Sequence, residues 1–336
     1  MPRPDTSKAP PAPAPSEPMP PSTPAPATIA PGEPGVPSPA SSGAQSLETV
    51  KHRDPDQFYA LRYLPAAAHR LVYGWLGLNE ALARVPASVS TPPLGEIRLQ
   101  WWREAVAETV AIAAEFCADP DPRSSVPAAR RLRAHPVLQD IGHGLGALVA
   151  GHAVGLGEKG SANALDAVAS ALDPVIEARA RLLYDPAFTD IETASQWLRS
   201  TDGAMVEQLF VLLHQLTAPA TPAVEPATDI GRLIGDGAGL VALARHRAIP
   251  VPPMQLNVED DHVTDYLMTE YKTWRGNLRA ALGALGGLDV AGGAGLRPFL
   301  LAPHMVPAYA RAASGHPPGA LTRHLRLAWA NLFGQV

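Results

Sequence analysis

The chain has 336 residues, 46% of them hydrophobic and only 18% charged, with a net charge of −5 at neutral pH. That length and apolar content suit one large domain or two small ones with a sizeable core. The negative balance excludes a whole-chain attraction to nucleic acid or anionic lipid, and a single cysteine, Cys117, excludes an internal disulfide.

Residues 1–46 are low in complexity: 15 of the 37 prolines fall before residue 40, mixed with Ala, Ser, Thr and Gly. Such a segment has little to bury against the entropy of ordering, so it reads as a disordered tail. It has no apolar h-region and little arginine, so it reads as neither a secretory signal nor a transit peptide. The folded domain is expected from Leu47 onward, over 47–336. Phe58 to Val85 is helical in pattern, with Pro65 breaking or opening a helix. Leu71, Val72, Trp75, Leu78, Leu82 and Val85 keep a three-to-four spacing along His69 to Arg84.

After a loop over Pro86 to Pro93 comes LGEIRLQWWREAVAE, from Leu94 to Glu108, in a helix running toward Phe116. Leu94, Ile97, Trp101 and Ala105 step at three and four residues, which predicts one buried face. Trp101 and Trp102 lie about 100° apart on the helix, so at most one can point squarely at a core. A loop follows over Asp119 to Pro127. Further helices are expected from His135 toward Ala153, over Ala164 to Tyr184, and over Ile191 to Leu216. A Pro/Ala/Thr connector over Thr217 to Thr228 precedes helices over Asp229 to Ala248 and Val258 to Leu285. A flexible turn at Gly286 to Gly295 leads to helices over Leu296 to Ala312 and Ala320 to Phe333. No useful period-two alternation occurs. The fold class is therefore all-α, a bundle of roughly eight to ten helices.

Catalytic signatures are sparse. The glycines at 231, 235, 237 and 239 follow no strand and sit in a helical period, so close helix packing explains them better than a dinucleotide fingerprint. Asp260, Asp261 and His262 read as cap and solvent residues ahead of a helix. Cys117 reads as a small core hydrophobe, and Arg130, Arg131 and Arg133 as a surface cluster. There is no nucleophile elbow, HExxH or paired-cysteine spacing. No uninterrupted apolar run reaches the ~20 residues of a membrane span. The expectation is a cytoplasmic protein, with any membrane contact peripheral.

Several strings occur in a suggestive order. PAAAHRLVYGWLGLNEALARV begins at Pro65 and is followed by LGEIRLQWWREAV, HPVL at 135–138, VIEARARLL at 175–183 and STDGAMVEQL at 200–209. RPFLLAPHMVPAYARAA at 297–313 and LRLAW complete the series. Together these resemble the squalene/phytoene synthase family over about residues 54 to 333. They are closest to its divergent branch, which includes the mitochondrial complex I assembly factor and its bacterial relatives. The resemblance implies the isoprenoid synthase fold, a helical bundle around a central cavity. In that family two prenyl diphosphates are joined head to head, with Mg²⁺ held by two Asp-rich motifs on facing helices. Mg²⁺ wants oxygen ligands in octahedral array, and cations must stabilise the departing diphosphate.

The chain departs from the motif at both places. Glu80 is the sole acid from Leu71 to Leu94, and Asp236 the sole acid between Ile230 and Asn257. Val241 and Ala242 replace the expected Arg-Asp pair, and the acids nearest the position after VIEAR are Glu177 and Asp185. The resemblance then implies a degenerate member that has lost prenyl transfer and serves binding or assembly, in maturation of respiratory complex I. Its expected partners are a protein of that assembly and an isoprenoid or lipid-like ligand in the cavity. No cofactor is expected. The alternative is an active or altered prenyl transferase that needs Mg²⁺, with Glu80, Arg98, Arg103 and Asp236 near the diphosphate. Arg98 and Arg103 are five residues apart, about 140° net on a helix. Arg98 is therefore expected nearer the cavity mouth and Arg103 in an ion pair.

Overall fold

The computed structural model describes residues 47–118, 132–152, 170–217, 224–250, 252–284, 297–312 and 316–333. The tail 1–46, the loop Asp119–Pro127 and the Gly286–Gly295 turn lie outside the described residues, as do Arg130 and Arg131 and the side chain of Cys117.

The chain is predominantly helical. A helix over 47–53 (α1) leads to α2, Pro55–Leu61, capped by the Asp54 carboxylate, which accepts from Gln57 N at 3.2 Å. Pro65 opens α3, Ala66–Arg84, from the N-cap, where its missing N–H costs nothing. A 3₁₀ turn, Pro86–Ser88, precedes α4, Pro92–Ala118, which starts on a proline pair. Then come α5, Pro136–His152, a helix over 170–180 (α6) and a 3₁₀ turn, Arg181–Leu183.

The expected single helix over Ile191 to Leu216 is three pieces. They are α7, Ile191–Leu198, a π-helical turn, Arg199–Gly203, and α8, Ala204–Thr217. The hydroxyls of Ser200 and Thr201 each donate to Trp197 O at 2.9 Å, so side chains serve a carbonyl at the irregular turn. The next helix, α9, begins at Val224 rather than Asp229 and runs to Ala248, since Pro226 in a first turn gives up no needed hydrogen bond. After it come α10, Asp260–Ala284, then α11, Arg297–Leu301, a 3₁₀ turn, Ala302–Met305, and α12, Val306–Arg311. Pro303 and Pro307 break that last stretch, which the periodicity alone reads as one helix. The final helix is α13, Ala320–Phe333. Two short strands, β1 (Ala187–Phe188) and β2 (Gln255–Leu256), pair in parallel. Two residues are too few to show alternation in a sequence.

Helix α9 is the element the rest is built on. It packs against α7, the π turn, α8, α10, α11 and α12. Its glycines permit this. A Cβ at Gly239 would lie 2.8 Å from Arg199 Cα, and one at Gly203 would lie 2.5 Å from Gly235 O, so the π turn lies backbone to backbone on α9. In the N-terminal half, α3 packs on α5, and α4 packs on α5.

The face of α4 expected to be buried is corrected. Leu94, Ile97 and Trp101 are exposed; Ala105 alone of that set is buried. The covered face is Gly95, Leu99, Trp102, Val106 and Val110, one step around the helix. This helix carries apolar residues on both sides, so spacing could not choose between them. Trp102 is the buried member of the pair, edge-on to His135 with centroids 4.8 Å apart. Trp101 stays near the surface beneath the Arg133 guanidinium, at 5.4 Å.

Candidate functional site

The polar centre of the molecule lies where α3, α6, the π turn and α9 meet the start of α2. Arg179, on the otherwise apolar face of α6, is buried and donates through Nη2 to Asn79 Oδ1 at 2.7 Å and to Asp202 Oδ2 at 3.0 Å. Asn79 Nδ2 closes the ring by donating to Asp202 Oδ1 at 3.0 Å. Asp202 can reach this point because the π turn widens the backbone just before Gly203 and lies flat on α9. Trp197 stacks over Arg179, with its ring centre 5.3 Å from the guanidinium carbon, and its indole N–H donates to Ala178 O at 2.7 Å. One turn of α9 away from Val241, Arg245 forms an ion pair with Asp54, the cap of α2.

These contacts set the charge states. Burial works against the Asp202 charge, but the Arg179 and Arg245 guanidinia and the Asn79 hydrogen bond outweigh it and hold its carboxyl below its ordinary range. Burial likewise opposes the Arg245 charge, and Asp54 and Asp202 more than restore it. Glu80, half-buried beside them, goes the other way. Burial raises its carboxyl, and Asp202 and Asp54 add to the rise against the pull of Arg245 and Arg179. His246 is pushed down to about 4, by burial first and Arg245 second, so it is neutral at pH 7. Next to this cluster, Tyr309 donates to the buried Asp56 at 2.5 Å. Burial pushes the Asp56 carboxyl up to about 6 despite that bond.

A cavity of about 80 Å³ is lined by Glu80, Arg179, Asp202, Arg245 and His246 and walled by Trp197 and Met254. The β1–β2 pair ties down its outer side. Gln255 N donates to Pro186 O and Asn257 N to Phe188 O, both at 2.8 Å, fixing the Pro252–Met254 segment that lines it.

Of the four residues singled out in the sequence, only Glu80 lines this cavity. Asp236 sits nine residues before Arg245 on α9, about half a turn around the helix from it. It faces Arg199, Arg232 and Glu270 instead, and burial is the main cause of its raised carboxyl. Glu80 and Asp236 therefore do not form two jaws of one clamp. Arg98 is exposed and donates to Ser88 Oγ at 2.8 Å, tying α4 to the preceding 3₁₀ turn rather than reaching the cavity. Arg103 forms the expected interhelix ion pair, to Asp173 on α6 at 2.7 Å. Asp260 and Asp261 stand in the first turn of α10, and Asp260 pairs with Arg247 at 3.5 Å.

Sequence reading passed over Asn79, Arg179, Asp202, Arg245 and Asp54. One signal was present: Arg179 interrupts the stripe of Leu172, Val175, Ile176 and Leu183, and a cation on an apolar stripe asks for a buried carboxylate. Comparison with protein-family models, curated proteins and solved structures finds no match for this chain.

Proposed function

We propose that this protein is a degenerate squalene/phytoene synthase-like helical protein that has lost prenyl transfer and acts in binding or assembly. Maturation of respiratory complex I is the process the resemblance implies. The observation that carries the reading is the closed charge network at the polar centre. Asp202 is engaged by the buried Arg179, and Asp54 by the partly buried Arg245. A divalent cation placed among these carboxylates would have to displace guanidinia that are largely shielded from water, leaving charges without partners. A charge network closed on itself is a rigid core for presenting surfaces to a partner.

One observation favours the other reading, an active or altered prenyl transferase: two carboxylates, Glu80 and Asp202, line the same cavity as Arg179 and Arg245. The two readings separate in one experiment. The full chain is incubated with Mg²⁺ and farnesyl or geranylgeranyl diphosphate, and diphosphate release is followed. The proposed reading expects release no faster than without protein. Release that is lost in Glu80→Gln establishes the transferase instead. For the assembly role, deleting the gene in a host that carries it should lower assembled complex I, and unchanged complex I contradicts that role.

A further inference from the structure

A second face of the molecule combines unpaired cations with exposed apolar side chains. On α13, Leu321, Leu325, Trp329 and Leu332 are each between 56% and 76% exposed. Their spacing places them within an arc of about 80° on the helix. The buried residues of α13, Leu327 and Ala330, lie on the opposite side. The helix therefore packs on the core with one face and leaves a second apolar face largely exposed. Its sequence, ALTRHLRLAWANLF, has two arginines, a histidine and no carboxylate.

Beside this stripe runs an open groove of about 620 Å³, with Leu325 and Trp329 on one wall and Lys272, Arg275, Arg311 and Arg326 around it. No carboxylate among the described residues lines it. Among the described residues, none of these four cations, nor Arg279 beside them, enters an ion pair. At its floor His304 is 9% exposed; its Nδ1 meets the Tyr271 hydroxyl at 2.9 Å, and its Nε2 has no partner. Burial first, then Arg275, Arg279 and Arg326, push this imidazole down to about 4, so it is neutral at pH 7 and adds no charge to the groove. Five cations with no ion-pair partner among the described residues, in a chain of net charge −5, mark a place for anionic groups.

We propose that α13 and this groove form a docking face for an anionic phospholipid surface. The leucines and Trp329 enter the acyl boundary, and headgroup phosphates take the place of counter-ions along the groove. An amphipathic helix with Trp and Leu on one side and only basic charge on its flanks has the chemistry of an interfacial helix. A second copy of the chain fits less well. The face that would be shared, α13, carries no carboxylate to offer the partner's cations. The net negative charge of the chain repels it from such a surface elsewhere, so binding depends on this face alone and is sensitive to salt.

The test is flotation of the full chain with vesicles of phosphatidylcholine alone and of equal parts phosphatidylcholine and phosphatidylglycerol. The expected result is partitioning at least ~10-fold tighter to the anionic vesicles, weakening as salt is raised. The double change Lys272→Glu with Arg326→Glu should reduce it to the neutral-vesicle level, and Leu325→Glu should do the same at unchanged melting temperature. Should the charge variant not fold, the salt dependence of the wild type and the Leu325→Glu result decide the matter. Brominated acyl chains should quench a part of the tryptophan emission that is missing in Trp329→Phe. Equal partitioning to both vesicles, or undiminished binding by the folded charge variant, overturns the proposal. So does binding of inorganic pyrophosphate to the groove without vesicle binding, which makes it a site for free phosphates. A stable dimer dissolved by Leu325→Glu, again without vesicle binding, assigns the stripe to a second copy.

Discussion

Asp202 keeps its charge where burial opposes it, and two neighbours make that possible. Removing it leaves Arg179 buried over Trp197 with Asn79 as its remaining partner. Asp202→Ala is expected to cost about 3–5 kcal/mol in denaturant unfolding, because a buried cation is stranded. Changing both partners, Arg179→Met with Asp202→Leu, should recover much of that loss, since neither charge then needs compensation. Equal losses in the single and double variants would show that the pair does not interact. Asp56 makes a prediction of opposite sign. Its carboxyl is pushed from 3.8 up to about 6, by burial first, with Asp54 adding and Tyr309, Arg245 and Arg323 opposing. Between those values the folded chain holds the proton and the unfolded chain has lost it, so stability falls as pH rises through the window. Asp56→Asn keeps an acceptor for the Tyr309 hydroxyl and has no proton to lose. The stability of the variant relative to wild type should climb between about pH 4 and pH 6 and level off above, by up to about 3 kcal/mol. A difference that stays flat with pH, followed by denaturant unfolding, contradicts this assignment.

Among the elements, α9 and the π turn show what spacing can and cannot reveal. The helical period of the α9 region and its packing glycines were legible, because close approach needs small residues and the sequence has four in nine positions. The π turn was not, because an ordinary helical period spans the polar stretch Arg199 to Gly203, from Trp197 and Leu198 before it to Met205 and Val206 after it, and one widened turn leaves no mark in that pattern. That turn carries Asp202, so the site was missed with it. The face of α4 was misread for a different reason: two apolar stripes compete there, and only the position of α5 decides between them. The close approach of α9 and the π turn can be tested. A methyl group at Gly239 would meet Arg199 backbone atoms at 2.8–2.9 Å, so Gly239→Ala should destabilise by about 1–3 kcal/mol. Gly276 on α10 has open space around its Cβ direction, and Gly276→Ala should instead stabilise by up to about 1 kcal/mol. Similar effects at the two positions, read by thermal or denaturant unfolding, would mean that α9 and the π turn are not in backbone contact.

At the scale of the whole molecule, the all-α class followed from periodicity, but the polar centre needed the fold. Asp54, Asn79, Arg179, Asp202 and Arg245 come from five separate places along the chain, and no local spacing announces that they meet. The same assembly separates Glu80 from Asp236, which the sequence invited one to pair. Among the described residues no helix is long and apolar enough to cross a membrane. Under the proposed loss of transfer, the carboxylates at the core are satisfied by arginines and hold no metal-bound diphosphate. The most direct measurement is the melting temperature of the full chain with and without millimolar Mg²⁺, each in the presence and absence of farnesyl diphosphate. The account predicts one melting temperature in all four conditions, since a ligand raises it only by binding the folded state. A rise that requires both Mg²⁺ and farnesyl diphosphate, and that disappears in Glu80→Gln, would contradict it.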